Sequence, residues 1–235
     1  MKEDEFYSMV EKLGINLTEI MKNQLEIYAN YLIEYNSHTN LTAIKDVEGI
    51  YLKHFYDSLM VTKFIDFNDI NSIIDVGSGA GFPGVVLKIA FPNLKVTILD
   101  SNNKKTRFVQ SLIEKLELND INIENSRAED FSKEHRHQYD ISIARAVSEL
   151  RILCELCLPL TKVGGYFISL KGNYEKELET SLSTIKVLNS EIETIDEDLL
   201  PIENSRRTFI KIKLEEKIDD KYPRPYDQII KKPLK

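Results

Sequence analysis

Cysteine is scarce in this chain, with two residues in 235. That is too few for a disulfide framework and agrees with a reducing compartment. The two stand as Cys154 and Cys157, and no second pair or neighbouring histidine completes a metal set. The stretch from Glu149 to Leu158 has an amphipathic helical pattern, so both are expected as buried apolar residues, with no metal site. No apolar run reaches membrane-spanning length, and the start Met1-Lys2-Glu3-Asp4-Glu5 is acidic without an apolar signal core. A cytoplasmic protein with no membrane partner is therefore expected. Histidines number four, and His135 and His137 flank Arg136 in a polar stretch expected at the surface. Repeats and low-complexity tracts are absent.

Glycine is also sparse, yet four of the nine fall within the eight positions 77–84. They follow the apolar run Ile73-Ile74-Asp75-Val76 and precede Pro83, whose fixed φ suits the start of a helix. A strand, a glycine-rich turn and a helix in that order make a site for a nucleotide-like ligand at the carboxyl edge of a parallel sheet. Two ligands compete for it. Gly79 to Gly84 satisfies the dinucleotide pattern G-x-G-x-x-G, with Asp100 downstream. The tighter description is Asp75-x-Gly77-x-Gly79, an acid closing the strand beside open amides. That arrangement suits a ligand with an amino-acid tail, S-adenosylmethionine, better than a pyrophosphate, which avoids a nearby negative charge.

Residues 18–35 carry a helical pattern with Thr18 as N-cap, a polar break follows at residues 36–40, and a second helical pattern runs over 49–64. From residue 72 strands and helices alternate. Strands are predicted at 72–76, 95–99, 121–124, 139–144 and 165–170, and helices at 83–91, 104–118, 147–157 and 175–188. Two further strands, 190–197 and 207–214, follow with no helix between them. The division expected is a helical extension over 1–66 and an α/β domain over 67–235 that ends in a basic segment. Seven strands with a closing antiparallel pair describe the Rossmann-like, S-adenosylmethionine-dependent methyltransferase fold rather than the six parallel strands of a dinucleotide domain.

Each predicted parallel strand delivers a residue to the carboxyl edge. Asp100 suits two ribose hydroxyls, or else caps the helix that follows. Arg145 either orients a substrate through its planar fork or forms a surface salt bridge, and Lys171 adds a second cation to that edge. The net charge of −7 divides as −5 over residues 1–66, −7 over 67–205 and +5 over 206–235. Arg206, Arg207, Lys211, Lys213 and Arg224 could thus meet phosphates, or form a solvated charged tail.

The chain resembles the bacterial 16S rRNA guanine-N7 methyltransferases, the RsmG family, also called the glucose-inhibited division protein B family. The resemblance rests on Asn40-Leu41-Thr42-Ala43-Ile44, His54-Phe55-Tyr56-Asp57-Ser58-Leu59 and the loop Asp75-Val76-Gly77-Ser78-Gly79-Ala80-Gly81-Phe82-Pro83-Gly84. Asp100-Ser101-Asn102, Lys104-Lys105, Arg127-Ala128-Glu129, Ala144-Arg145-Ala146 and Tyr222-Pro223-Arg224 extend it along nearly the whole chain. It implies cofactor contacts at Gly77, Phe82, Ala128, Glu129 and Arg145, beside the Asp75, Gly79 and Asp100 read from the strand ends. S-adenosylhomocysteine is the implied product. The implied substrate is one guanine, 527 in the family's name, of 16S rRNA, met free, in the 30S subunit or in an assembly intermediate, by a monomeric enzyme.

Guanine N7 carries a lone pair and no proton, so its methylation needs alignment rather than a general base. Consistently, the sequence has no Asn/Asp-Pro-Pro-Tyr/Phe motif for amino groups and no Pro-Cys nucleophile. Arg145 is expected to orient rather than to move protons, and His54 is either part of the site or a hydrogen-bonded core histidine. A small-molecule methyltransferase of the same fold and a non-catalytic RNA- or ribosome-binding module remain as alternatives.

Overall fold

The computed structural model describes residues 1–145 and 148–234. Two helices open the chain, α1 (Glu3–Glu11) and α2 (Glu19–Thr39). Thr18 caps α2 by accepting from the Met21 N–H, as the sequence predicts. The predicted break at residue 36 is not where the helix stops. The Asn36 amide instead bonds both ways with the backbone of Thr42, at 2.9 and 3.0 Å, and ties the returning chain to the last turns. Asn40 then ends α2 in the left-handed region at φ 53°. The second helical pattern is one continuous rod of changing pitch: α3 (Val47–Ile50), a π-helical turn (Tyr51–Tyr56), α4 (Asp57–Leu59) and a 3-10 turn (Met60–Lys63). His54 lies within this π turn and Asp57 directly follows it, and π turns, rare in proteins, are frequent at functional sites.

The sheet follows: β1 (Ser72–Val76), α5 (Gly84–Ala90), β2 (Lys95–Leu99), α6 (Asn103–Leu116), β3 (Ile121–Glu124), α7 (Ala128–Phe131) and β4 (Tyr139–Arg145). Then come α8 (Leu150–Cys157), β5 (Thr161–Lys171), α9 (Glu175–Val187), β6 (Ser190–Leu200), β7 (Ser205–Leu214) and α10 (Tyr226–Lys231). Strand order is β3-β2-β1-β4-β5-β7-β6; the first five are parallel, β7 is antiparallel to β5, and β6, antiparallel to β7, runs with the first five. All seven strands lie where the sequence predicts them. The start predicted for α8 at residue 147 falls partly on residues outside those described. The short helices α1, α7 and α10 escape sequence reading because four to nine residues offer little periodic pattern.

Alternation along the buried strands sorts side chains between two hydrophobic layers. Ile73, Ile141, Ile168 and Leu170 pack with α2, the π turn, α5 and α6. Residues 1–66 therefore share a core with one face of the sheet. On the opposite face Ile74, Phe167, Ile210 and Ile212 pack with α8, α9 and α10. Cys154 and Cys157 are buried in this second layer as free thiols, and burial pushes both thiol pKa values up.

The basic C-terminal segment is a strap over that second layer. Arg136 donates to the carbonyls of Tyr222 and Ile218, at 2.6 and 2.9 Å. Arg224 meets the fully buried Glu155 of α8 through its backbone N–H, Nε and Nη2, at 2.9, 2.7 and 2.7 Å. Instead of presenting a free cation to phosphate, as the sequence suggested, Arg224 neutralises a buried carboxylate. Removing one partner of such a pair strands the other. We expect Arg224→Ala to cost about 3–5 kcal/mol of stability in a denaturant titration. A loss below roughly 1 kcal/mol would mark the pair as dispensable.

Candidate active site

The glycine loop turns between β1 and α5 through positive φ at Gly77, Gly79 and Gly81, at 73°, 63° and 98°. A side chain at Gly84 would also collide with Asp75, whose Oδ2 would lie 2.9 Å from the added Cβ. Its absence lets Asp75 accept from the Gly84 N–H at 2.8 Å. Asp75 is fully buried, its Oδ1 has no partner among the described residues, and burial raises its pKa to about 7. It does not line the cavity in front of the loop. Its place is behind the loop, bracing it, which differs from the direct ligand contact expected of this acid.

That cavity, about 550 Å³, lies at the carboxyl edge of β1, β2 and β4. Gly77, Gly79, Phe82, Asp100, Ala128 and Arg145 all line it, so most of the residues predicted for the cofactor do converge. Glu129 is buried next to Ala128 but is not on the lining. Asp100 accepts from the Gly79 N–H at 3.0 Å and the Asn102 N–H at 2.8 Å, one bond per oxygen. Asn102, not Asp100, caps α6, accepting from the Lys104 and Lys105 N–H groups. The helix-cap explanation of Asp100 is thereby removed. Ser78 adds a buried lining hydroxyl with no partner among the described residues.

Arg145 closes one end of the cavity. Its Nη1 donates to the Lys53 carbonyl and to Asp57 Oδ2, each at 3.2 Å, and its Nη2 to His54 Nδ1 at 3.3 Å. A guanidinium only donates, so Nδ1 is the accepting nitrogen and Nε2–H donates to Thr42 Oγ1, at 2.8 Å. His54 stacks on Phe82 with centroids 4.3 Å apart, and the Arg145 guanidinium lies 5.2 Å from the same ring. Tyr28 stacks on Phe82 as well and donates to the Ala80 carbonyl at 2.5 Å, fixing the loop from α2. Burial first, and Arg145 second, lower the His54 pKa to about 3.

Sequence reasoning about strand ends missed Tyr28, Thr42 and Asp57, because they come from the helical extension rather than the sheet. Thr42, His54 and Asp57 nonetheless sit inside the two N-terminal stretches that carry the family resemblance.

The cations predicted for RNA are all engaged within the chain. The Lys171 side chain is buried and bonds Glu177 at 2.8 Å and the Ser148 carbonyl. Arg206 pairs with Glu175 and Glu197, and Arg207 with Asp57. Lys211 pairs with Glu193 at 2.5 Å and Lys213 with Glu215 at 2.8 Å. The local charge of +5 is thus largely matched in place by acids outside the segment: Glu193 and Glu197 on β6, Glu175 on α9, Glu155 on α8 and Asp57. His135 and His137 are half-buried rather than at the surface, one stacked on Phe131 and the other bonded to the Thr161 carbonyl.

A seven-stranded sheet of this order, with a glycine-loop cavity and an acid at the end of β2, is the fold of the S-adenosylmethionine-dependent methyltransferases. Solved structures share the fold. A SAM-dependent O-methyltransferase from Thermotoga maritima matches at a TM-score of 0.54 and 18% identity, over 80% of this chain and 73% of that one. A SAM-dependent methyltransferase from Aquifex aeolicus matches at 0.54 and 16%, over 75% and 97%. Residues 21–201 match the family described as GidB, rRNA small subunit methyltransferase G, and the chain belongs to that family. Proteins named ribosomal RNA small subunit methyltransferase G from Bacillus licheniformis and Bacillus cytotoxicus are 44% and 47% identical to it, each over 95% of both chains.

The two perturbed groups impose opposite pH dependences on the cofactor-free protein. His54, lowered from 6.5 to about 3, leaves the folded state with fewer protons than the unfolded one in that window, so its contribution is lost as pH falls. Asp75, raised from 3.8 to about 7, leaves it with more, so its contribution is lost as pH rises. Between about pH 4 and 6.5 we expect Asp75→Asn to melt higher as pH rises and His54→Gln to melt lower. Parallel profiles for the two variants would contradict these assignments.

Proposed function

We propose that the chain transfers a methyl group from S-adenosylmethionine to N7 of one guanine of 16S rRNA, the guanine 527 of the family's name, leaving S-adenosylhomocysteine. The observation that carries this is the convergence of the glycine loop, Asp100 and Arg145 on one cavity, in a chain of the small-subunit rRNA methyltransferase family. After its two backbone bonds Asp100 still has a lone pair on each oxygen for a ribose diol. Ala128 walls the adenine end with Glu129 beside it, Phe82 packs along the ligand, and the unpartnered Ser78 hydroxyl supplies a further polar contact. Asp75 acts at one remove, through the loop it braces. When bound, the cofactor supplies an electrophilic methyl group on a sulfonium.

What the chain's own residues do is align. Guanine N7 needs no proton removed, and the group nearest the transfer point fits that requirement. His54 has both ring nitrogens engaged and is far too weak a base to carry a proton near neutrality. Arg145, held by Lys53, His54 and Asp57, presents a fixed positive charge that orients the acceptor. Docking on RNA uses Arg206, Lys211 and Lys213, whose solvent-accessible, half-buried ion pairs can exchange a carboxylate for a phosphate. The substrate is 16S rRNA, free, in the 30S subunit or in an assembly intermediate, met in the cytoplasm by a monomer. No helix among the described residues is long and apolar enough to cross a membrane.

The test incubates the protein with labelled S-adenosylmethionine and either free 16S rRNA or 30S subunits, followed by nucleoside analysis. Label in 7-methylguanosine is expected. Label in another nucleoside, or none, would overturn the proposal. Asp100→Ala should weaken cofactor binding by about 1–3 kcal/mol in calorimetry while leaving the α6 cap intact. Unchanged affinity would remove Asp100 from the site.

A further inference from the structure

Beside the first cavity lies a second of about 580 Å³, and the two share His54, Arg145 and Ser148 on their linings. If the first takes the cofactor, the shared residues mark where a methyl group passes, and the second cavity is where the acceptor must lie. Its composition identifies that acceptor. Leu170 and Phe209, register partners on β5 and β7, provide a buried apolar surface. Around it stand charged groups from separate elements, among them Lys171 at the end of β5 and Glu177 on α9. An apolar floor with a charged rim suits a flat heterocycle with polar edges.

Lys171 and Glu177 form an adjacent donor and acceptor. The Lys171 side chain is 7% exposed, and its Nζ lies 2.8 Å from Glu177 Oε2. Glu177 Oε2 also accepts from the Leu150 N–H at 2.8 Å, and Oε1 takes part in neither bond. Read along its Watson–Crick edge, guanine offers O6 as acceptor and then N1–H and the N2 amino group as donors. Adenine reverses the first two. A fixed ammonium next to a carboxylate complements guanine and opposes adenine.

We infer that the second cavity receives the target guanine extruded from the RNA, with Lys171 facing O6 and Glu177 accepting from N1–H and the N2 amino group. N7, on the other side of O6, is then free to face the junction at Arg145 and Ser148. An extruded base is the general answer when an enzyme must reach an atom within a structured nucleic acid. Lys171 thus contacts a base and not a phosphate. The pair is a specificity device, and this rests on the guanine-N7 activity proposed above.

The experiment compares small-subunit RNA carrying guanine at the methyl-accepting position with the same RNA carrying inosine, which lacks only the 2-amino group. Methyl transfer is measured at saturating S-adenosylmethionine. The wild-type protein should act on inosine about tenfold more slowly or worse, because a site built to hydrogen-bond a donor rejects the analogue without it. Glu177→Gln should slow the guanine reaction and bring the guanine-to-inosine ratio close to one. Asn173→Trp, placed on an exposed lining residue where folding is not at stake, should block transfer by filling the cavity. Both variants should bind S-adenosylhomocysteine as the wild type does. An unchanged ratio in Glu177→Gln, or wild-type transfer by Asn173→Trp, overturns the inference. No transfer to guanine RNA by the wild type overturns the underlying activity instead.

Discussion

The site hangs on one carboxylate. Asp57 is buried, and it accepts from Arg145 through Oδ2 and from Arg207 through Oδ1. Three separated parts of the chain meet there: the rod that follows the π turn, the end of β4, and β7. A buried carboxylate between two guanidiniums is stable only while all three keep their places, since loss of either partner leaves charge uncompensated. The helical extension is therefore structural and functional at once. It supplies Tyr28, Thr42, His54 and Asp57, without which Arg145 would be an arginine at a strand end with no fixed direction.

This arrangement suits an alignment reaction. Electrostatics at the junction are set by a permanent cation and a neutral imidazole, neither of which changes protonation near neutral pH. The stacking of His54 and Tyr28 on Phe82 couples the extension to the glycine loop, so the wall of the glycine-loop cavity and the orientation of Arg145 are fixed by the same ring. Such preorganisation is the main source of rate when acceptor and donor need only be brought into line.

Most of the fold was legible because its signals are local. Strand alternation, the glycine loop and the closing pair of strands can each be read from a few consecutive residues. Asp100 and Arg145 were legible as strand-end residues for the same reason, whereas Phe82 and Ala128 came only from the family resemblance. Asp75 was misplaced because the sequence shows the acid beside the loop but not that Gly84, lacking a side chain, draws it inward. Partners separated by many residues left no local trace. The basic segment looked free because its acids sit on β6, α9 and α8, and Arg224 looked like an RNA contact because Glu155 is 69 residues away.

The claim that Asp57 acts by aiming Arg145 is tested most directly by a double-mutant cycle on methyl transfer to small-subunit RNA. The variants are Asp57→Asn, Arg145→Gln and the pair together, each checked for folding by thermal melting. If the two residues work as one unit, the double variant is no slower than Arg145→Gln alone, because the function of Asp57 is already lost. Rate losses that add in free energy would contradict the account and assign Asp57 a separate role.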